Sequence, residues 1–279
     1  MVTSGERIIE GRFERTLAAS GPVRLEVTVD SGAVQIRGGS EDGAVHVRGV
    51  LRARRPFLGW GDAEERVRRL EANPPVAQTQ NGVRVGLADD SWGTRGITLL
   101  IEIVTPRETE VRAHTDSGDI RVEGVRGAVW CDADSGRIEI AAIEGDVRAS
   151  ADSGSIRIRQ VSGAVYAEAD SGSIEAVEIA GSIEASADSG EIRLTQTLAA
   201  PVRGRADSGA IGITLAGEAG YNLRAQSDSG RITTPELTYA RERSPNSVEG
   251  QVRGGGPLVE LRTDSGRIDV AQARGATTN

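Results

Sequence analysis

The tripeptide Asp-Ser-Gly recurs nine times in this chain of 279 residues, and the five copies that begin at Asp116, Asp134, Asp152, Asp170 and Asp188 stand 18 residues apart. The remaining copies begin at Asp30, Asp207, Asp228 and Asp264. A spacing held over consecutive copies means one small unit stacked on itself, and few folds other than a repeat array can satisfy it.

Aligned on the Asp, the columns five, three and one residues upstream are apolar or small. Val111, Val129, Val147, Val165 and Ile183 fill the first, and Ala149, Ala167 and Ala185 are typical of the second. Four residues downstream the column is Ile120, Ile138, Ile156, Ile174, Ile192, Ile211, Ile232 and Ile268. Both flanks have period two, the mark of strands with one buried face. Each repeat therefore reads as a strand, an Asp-Ser-Gly corner, a second strand, an apolar step such as Ile143 or Ile179, and a Gly corner such as Gly127 or Gly163. At the tripeptide, Asp116, Asp134, Asp152, Asp170 and Asp188 supply local hydrogen-bond acceptors, while Gly118, Gly136, Gly154, Gly172 and Gly190 supply positive φ.

The expected fold is all-β, a parallel β-solenoid of 18-residue coils with a short helix-containing insertion. The reading is one domain over 1–279: first coils over 1–50, an insertion with a capping helix and hairpin over 51–100, regular coils over 101–275 and a tail over 276–279. Inward columns of Ala make a thin core, in keeping with an aromatic content of 3%. The 36-residue gap before Asp264 reads as two periods with one corner replaced by a protruding loop in "ARERSPNSVEGQVRGGGP". The last coil, followed only by the short polar "AQARGATTN", reads as an open end available for pairing.

In the insertion, "GDAEERVRRLEANPP" has Asp62 as helix N-cap, Ala63, Val67 and Leu70 on one face, and Pro74-Pro75 as the stop. With Phe57, Leu58 and Trp60 just upstream, it reads as a cap over the end of the stack; "VAQTQNGVRVGL" reads as a hairpin turning at Asn81-Gly82. No segment is apolar enough to span a membrane, and the first residues lack a signal-peptide apolar core, so the chain as given reads as cytoplasmic, or as envelope or extracellular if it is a mature fragment. A net charge of −8 argues against nucleic acid as partner.

Chemistry is sparse. Stacked corner carboxylates about 5 Å apart repel by roughly 1 kcal/mol even in water, and solvent with corner hydrogen bonds offsets this more simply than a row of Ca²⁺, which needs six or more oxygen ligands per ion. The two histidines, His46 and His114, sit in strand-like segments without a nucleophile motif or metal spacing, so no catalytic residue, metal or cofactor is expected. Cys131 lies in an inward column and reads as a buried small hydrophobe. Five residues after the corner, Arg121, Glu139, Arg157, Glu175 and Arg193 alternate in sign, which favours correct register. Four residues before it, Arg112, Trp130, Arg148, Tyr166, Glu184 and Arg203 place rings between guanidinium groups; this is either surface cation–π stacking or an interaction face for a protein or polysaccharide surface.

The combination of "VTVDSGAVQI", "IEIVTPRETEVRAHTDSGDIRV", the successive "DSGxI" units and "GGGPLVELRTDSGRIDV" resembles a bacterial family of putative-adhesin domains of unknown function. Its members carry SG-x-I β-repeats after a stretch ending in P-x-x-x-x-x-x-V, which stands here loosely as "PRETEVRA" with Pro106 and Val111. The resemblance covers about residues 8–271 and implies a right-handed parallel β-helix-like fold with no catalytic residues to carry over. It implies a non-enzymatic binding or adhesion module of the bacterial envelope. The alternatives are a self-assembling scaffold of stacked solenoids and, more weakly, a regulatory partner in envelope stress.

Overall fold

The computed structural model describes residues 8–54, 62–79, 82–86 and 96–273. They form 21 strands, most of them paired in parallel, and a single helix. The chain divides into two compact units, Met1–Gly136 and Arg137–Asn279. The first holds β1 (Ile8–Leu17), β2 (Val23–Gly38), β3 (Val45–Arg54), α1 (Asp62–Ala72), β4 (Val76–Thr79), β5 (Gly82–Gly86), β6 (Ile97–Thr105), β7 (Thr109–Glu123) and the first residues of β8 (Val129–Ile143).

In the first unit β2 pairs in parallel with β7 along its whole length, Val23 opposite Thr109 and Arg37 opposite Glu123. On its other side β2 meets two partners in turn: β5 beside Arg24–Thr28, then β6 beside Gly32–Gly38. β6, β3 and β1 continue as antiparallel neighbours, so among the described residues up to 50 it is Val23–Gly38 that joins the parallel ladder. α1 lays Ala63, Val67 and Leu70, all buried, against β1 and β3. It comes so close that Val67 and Glu71 occupy the space a side chain on Gly11 would need. Phe13 packs over the bare Gly49 opposite it, an aromatic ring protecting a glycine on the neighbouring strand. β4 and β5 form the expected hairpin, although its Asn81 turn, like Phe57, Leu58, Trp60 and the Asp62 side chain, lies outside the described residues.

The second unit holds the rest of β8, then β9 (Val147–Val161), β10 (Val165–Ser171), β11 (Ile174–Ile179), β12 (Ile183–Ser189), β13 (Ile192–Gln196) and β14 (Val202–Ser208). β15 (Ile211–Leu215), β16 (Tyr221–Ser229), β17 (Ile232–Thr233), β18 (Tyr239–Arg243), β19 (Ser247–Val252), β20 (Leu258–Ser265) and β21 (Ile268–Gln272) complete it. Strands upstream of the corner pair with their own kind, Val147 beside Val165 and Val165 beside Ile183; strands downstream do the same, Ile156 beside Ile174 and Ile174 beside Ile192. The alternating columns are buried as their period requires, from Ala149, Ala167 and Ala185 to Ile156, Ile174 and Ile192.

Four details differ from the sequence reading. First, the repeats do not stack in chain order. β14 pairs with β20, and β20 pairs on its other side with β16, so the Asp264 repeat lies between those of Asp207 and Asp228. Second, the segment expected to protrude as a loop forms β18 and β19, and β19 pairs antiparallel with β16. The last repeat is thus interior, and the open end expected beside "AQARGATTN" is not there. Third, β2, β7, β8 and β9 run unbroken through Asp-Ser-Gly, because the ladder continues across the corner. The Gly172 N–H donates to the Ser189 carbonyl and the Gly190 N–H to that of Ser208. A Cβ on Gly172 would land on the carbonyl oxygen of Gly154, and one on Gly190 on that of Gly172, so glycine is required by the stacking as well as by φ of +152° and +148°. Fourth, the repeats at Asp116, Asp134, Asp152 and Asp170 have a further left-handed residue eight positions after the Asp: Gly124, Ala142, Gln160 and Glu178, with φ of 73°, 54°, 55° and 60°. Only the first is a glycine, and the others hold a conformation that costs an L-residue roughly 1–2 kcal/mol.

Candidate functional site

The column four residues before the corner faces outward, because the strand alternation that buries Val147 and Ala149 turns Arg148 to solvent. The predicted members fall in both units. In the first unit the Arg112 guanidinium lies over the Trp130 ring, 4.7 Å from its centroid. Glu26 stands beside Arg112 across the strand pair and is bound on its other side by Arg84 at 2.9 Å.

In the second unit the Arg148 guanidinium lies 4.2 Å from the Tyr166 centroid. The Tyr166 hydroxyl donates to Glu168 at 2.9 Å, and this bond to a carboxylate, with partial burial, raises its pKa. Beyond Tyr166 the row is ionic. Arg203 reaches Glu184 at 3.8 Å and Glu260 at 3.4 Å; Arg224 reaches Glu260 at 4.0 Å and Glu249 at 3.4 Å; Arg241 closes on Glu249 at 3.1 Å. The unexpected stacking order is what makes this row alternate. Chain order would set Arg203 beside Arg224, and Glu260 separates them. The column two residues before the corner goes the other way, setting Arg205 beside Arg262, each paired with its own corner carboxylate, Asp207 or Asp264. Exposed pairs contribute about 0–1 kcal/mol each, so the row sharpens register more than it adds stability.

The second ladder, five residues after the corner, also forms. Arg157 binds Glu175 at 2.8 Å and Glu139 at 3.4 Å, and its guanidinium holds the Glu175 carboxyl below the usual carboxylate range. The corner carboxylates of the five regular repeats are exposed. Cys131 is buried as expected, and burial pushes its thiol pKa far up, which makes it a packing residue.

Two features went unread in the sequence. A recess of about 450 Å³ on the outer side of β1, β3 and β6 is bordered by Arg12, Glu14, Arg48 and Glu102 around Val50 and Leu100. It lies in the aperiodic region, where no column signals it. The other is the setting of His114. Its Nδ1 lies 3.0 Å from Asp132 and its Nε2 3.1 Å from Asp116, and one donor atom each of His114, Asp132 and Asp134 lie within 4.8 Å of one another. The signal was the period itself, since Asp132 is one 18-residue step from His114 and Asp134 one step from Asp116.

Among the described residues no helix is long and apolar enough to cross a membrane. A family model described as Toastrack DUF4097 matches residues 77–271, more than half of the chain. A solved structure from Bacteroides fragilis, described as a "putative adhesin", is similar over 96% of this chain and 98% of its own at 13% identity, with a TM-score of 0.51. Another from Clostridium sporogenes, described as a "putative cell adhesion protein", aligns over 95% of this chain and 100% of its own at 10% identity and a TM-score of 0.27. No curated protein matches.

Proposed function

The chain belongs to the Toastrack DUF4097 family, a family of unknown function, and we propose that it is a non-enzymatic binding or adhesion module of the bacterial envelope. In this reading the strands wind as a right-handed solenoid of 18-residue coils, and the partner is a protein or polysaccharide surface. The observation that carries it is the outward placement of an Arg-on-ring pair in each unit, Arg112 on Trp130 and Arg148 on Tyr166. A guanidinium stacked on one ring face leaves N–H donors beside an amphipathic aromatic edge, the residue types that dominate many binding surfaces. The Bacteroides fragilis structure supports the reading through its fold and its adhesin name.

The test is adhesion of the purified chain to isolated envelope polysaccharide and to immobilised envelope protein. Trp130→Ala and Tyr166→Ala, made separately and together, are expected to cut binding at least tenfold with an unchanged circular dichroism spectrum. Binding untouched by the double variant would remove this row as the site, and no binding to either class would remove the adhesion reading.

A further inference from the structure

We propose that His114, Asp132 and Asp134 form a binding site for one divalent transition-metal ion of the zinc class, with Asp116 as the residue that positions the histidine. The site is built by the ladder. His114 and Asp116 lie on β7, Asp132 and Asp134 on β8, and each pair is separated by two residues, so all four side chains leave the same side of their strands. The backbones beneath are held in close stacking, since a Cβ on Gly136 would meet the carbonyl of Gly118.

The donor set is one imidazole nitrogen and two carboxylates, within 4.8 Å of one another. A tetrahedral or octahedral ion with bonds of about 2.0–2.2 Å holds its donors about 3–4 Å apart, so a small closure suffices. Mixed nitrogen and oxygen ligands favour zinc-class ions over calcium, which takes oxygen alone. The second nitrogen fits the same arrangement. Histidine ligands almost always donate their other N–H to a carboxylate, a backbone carbonyl or water, which fixes tautomer and ring orientation. Asp116, outside the three-residue donor group, supplies that contact to Nε2 at 3.1 Å, leaving Nδ1 turned to Asp132 at 3.0 Å. In other repeats the same column carries Ser150, Glu168, Ser186, Arg205, Gln226 and Arg262, which do not repeat the set.

The experiment titrates ZnCl₂ into the untagged, chelator-stripped full chain by calorimetry, with Co²⁺ absorption as a second readout. One ion per chain is expected. His114→Gln and Asp134→Asn should each weaken it more than tenfold and abolish the Co²⁺ spectrum of the site, and Asp116→Asn should weaken it roughly 10–100-fold while keeping the stoichiometry. Asp152→Asn, at a corner without histidine, should leave it unchanged. Folding of each variant is read by circular dichroism; if His114→Gln fails to fold, the exposed Asp134→Asn decides. The proposal falls if binding does not saturate, if Asp134→Asn and a folded His114→Gln bind as the parent does, or if Asp152→Asn lowers binding as much as Asp134→Asn. The last result would mean a diffuse carboxylate effect, and the first would leave His114 hydrogen-bonded between Asp116 and Asp132.

Discussion

The parallel ladder of the second unit and the antiparallel strands of the first are stabilised by different means. In the ladder the two buried columns nearest the corner on its upstream side are small, Ala149, Ala151, Ala167, Ala169, Ala185 and Ala187, and fit is enforced by backbone against backbone, as where Gly154, Gly172 and Gly190 follow one another. Around β1, β3 and α1 the fit depends on single large groups: Phe13 over Gly49, Leu51, and Leu70 of the helix. Periodicity lets many weak, equivalent contacts specify a register. A closure used once must rely on individual large side chains at single positions.

The contrast can be broken by mutation. Phe13→Ala should cost about 3–5 kcal/mol, read as the shift in urea unfolding of β1 and β3 amides by hydrogen exchange, because it empties the space over Gly49. The ladder counterpart Ala167→Gly should cost only about 1 kcal/mol, and an equal loss at both sites would refute the distinction. Next comes Gly172→Ala, on the order of 3 kcal/mol, since its methyl would overlap backbone that cannot rotate away. Gly212→Ala, where the nearest atom is the Ile192 carbonyl at 4.0 Å, should be neutral or stabilising by about 0.5 kcal/mol.

Those glycines show how far the sequence could be read. The strand columns and their burial follow from period and residue type alone. The position of the Asp264 repeat does not, because all three repeats share one alternation, and the fit that tells them apart, bare Gly204 beside buried Leu261, joins positions 57 residues apart. The clue lay on the outside, in the sign alternation that runs through Arg203, Glu260 and Arg224. The left-handed corners were hidden for another reason: Ala142, Gln160 and Glu178 carry no turn chemistry and are held in place by their neighbours. The aromatic and arginine row was legible as outward residues, whereas the His114 group was missed because columns were read singly and the site joins two.

Smaller effects sharpen the picture. Replacing Ala142, Gln160 or Glu178 by Gly should stabilise by roughly 0.5 kcal/mol each, measured by urea unfolding, because relief of the positive φ outweighs the added freedom of the unfolded chain. The smallest is electrostatic. Arg157 lowers the pKa of Glu175 below its ordinary value of 4.5, so the pair's contribution is full above that value and is lost as pH falls through the lowered folded value. Glu175→Gln should remove this pH-dependent component of stability, worth up to about 1 kcal/mol, and raised salt should shrink it.

The interior position of β20 and β21 has a consequence in time. A serial array can add each repeat to an existing edge as the chain emerges, but here the Asp264 repeat is made after both of its neighbours. Until residues 258–272 leave the ribosome, the facing edges of β14 and β16 have no native partner, and the residues of the β18–β19 hairpin have already been made. Completion of this unit is therefore an intercalation, a late, long-range step that sets its folding rate apart from the local zipping of the repeats before it.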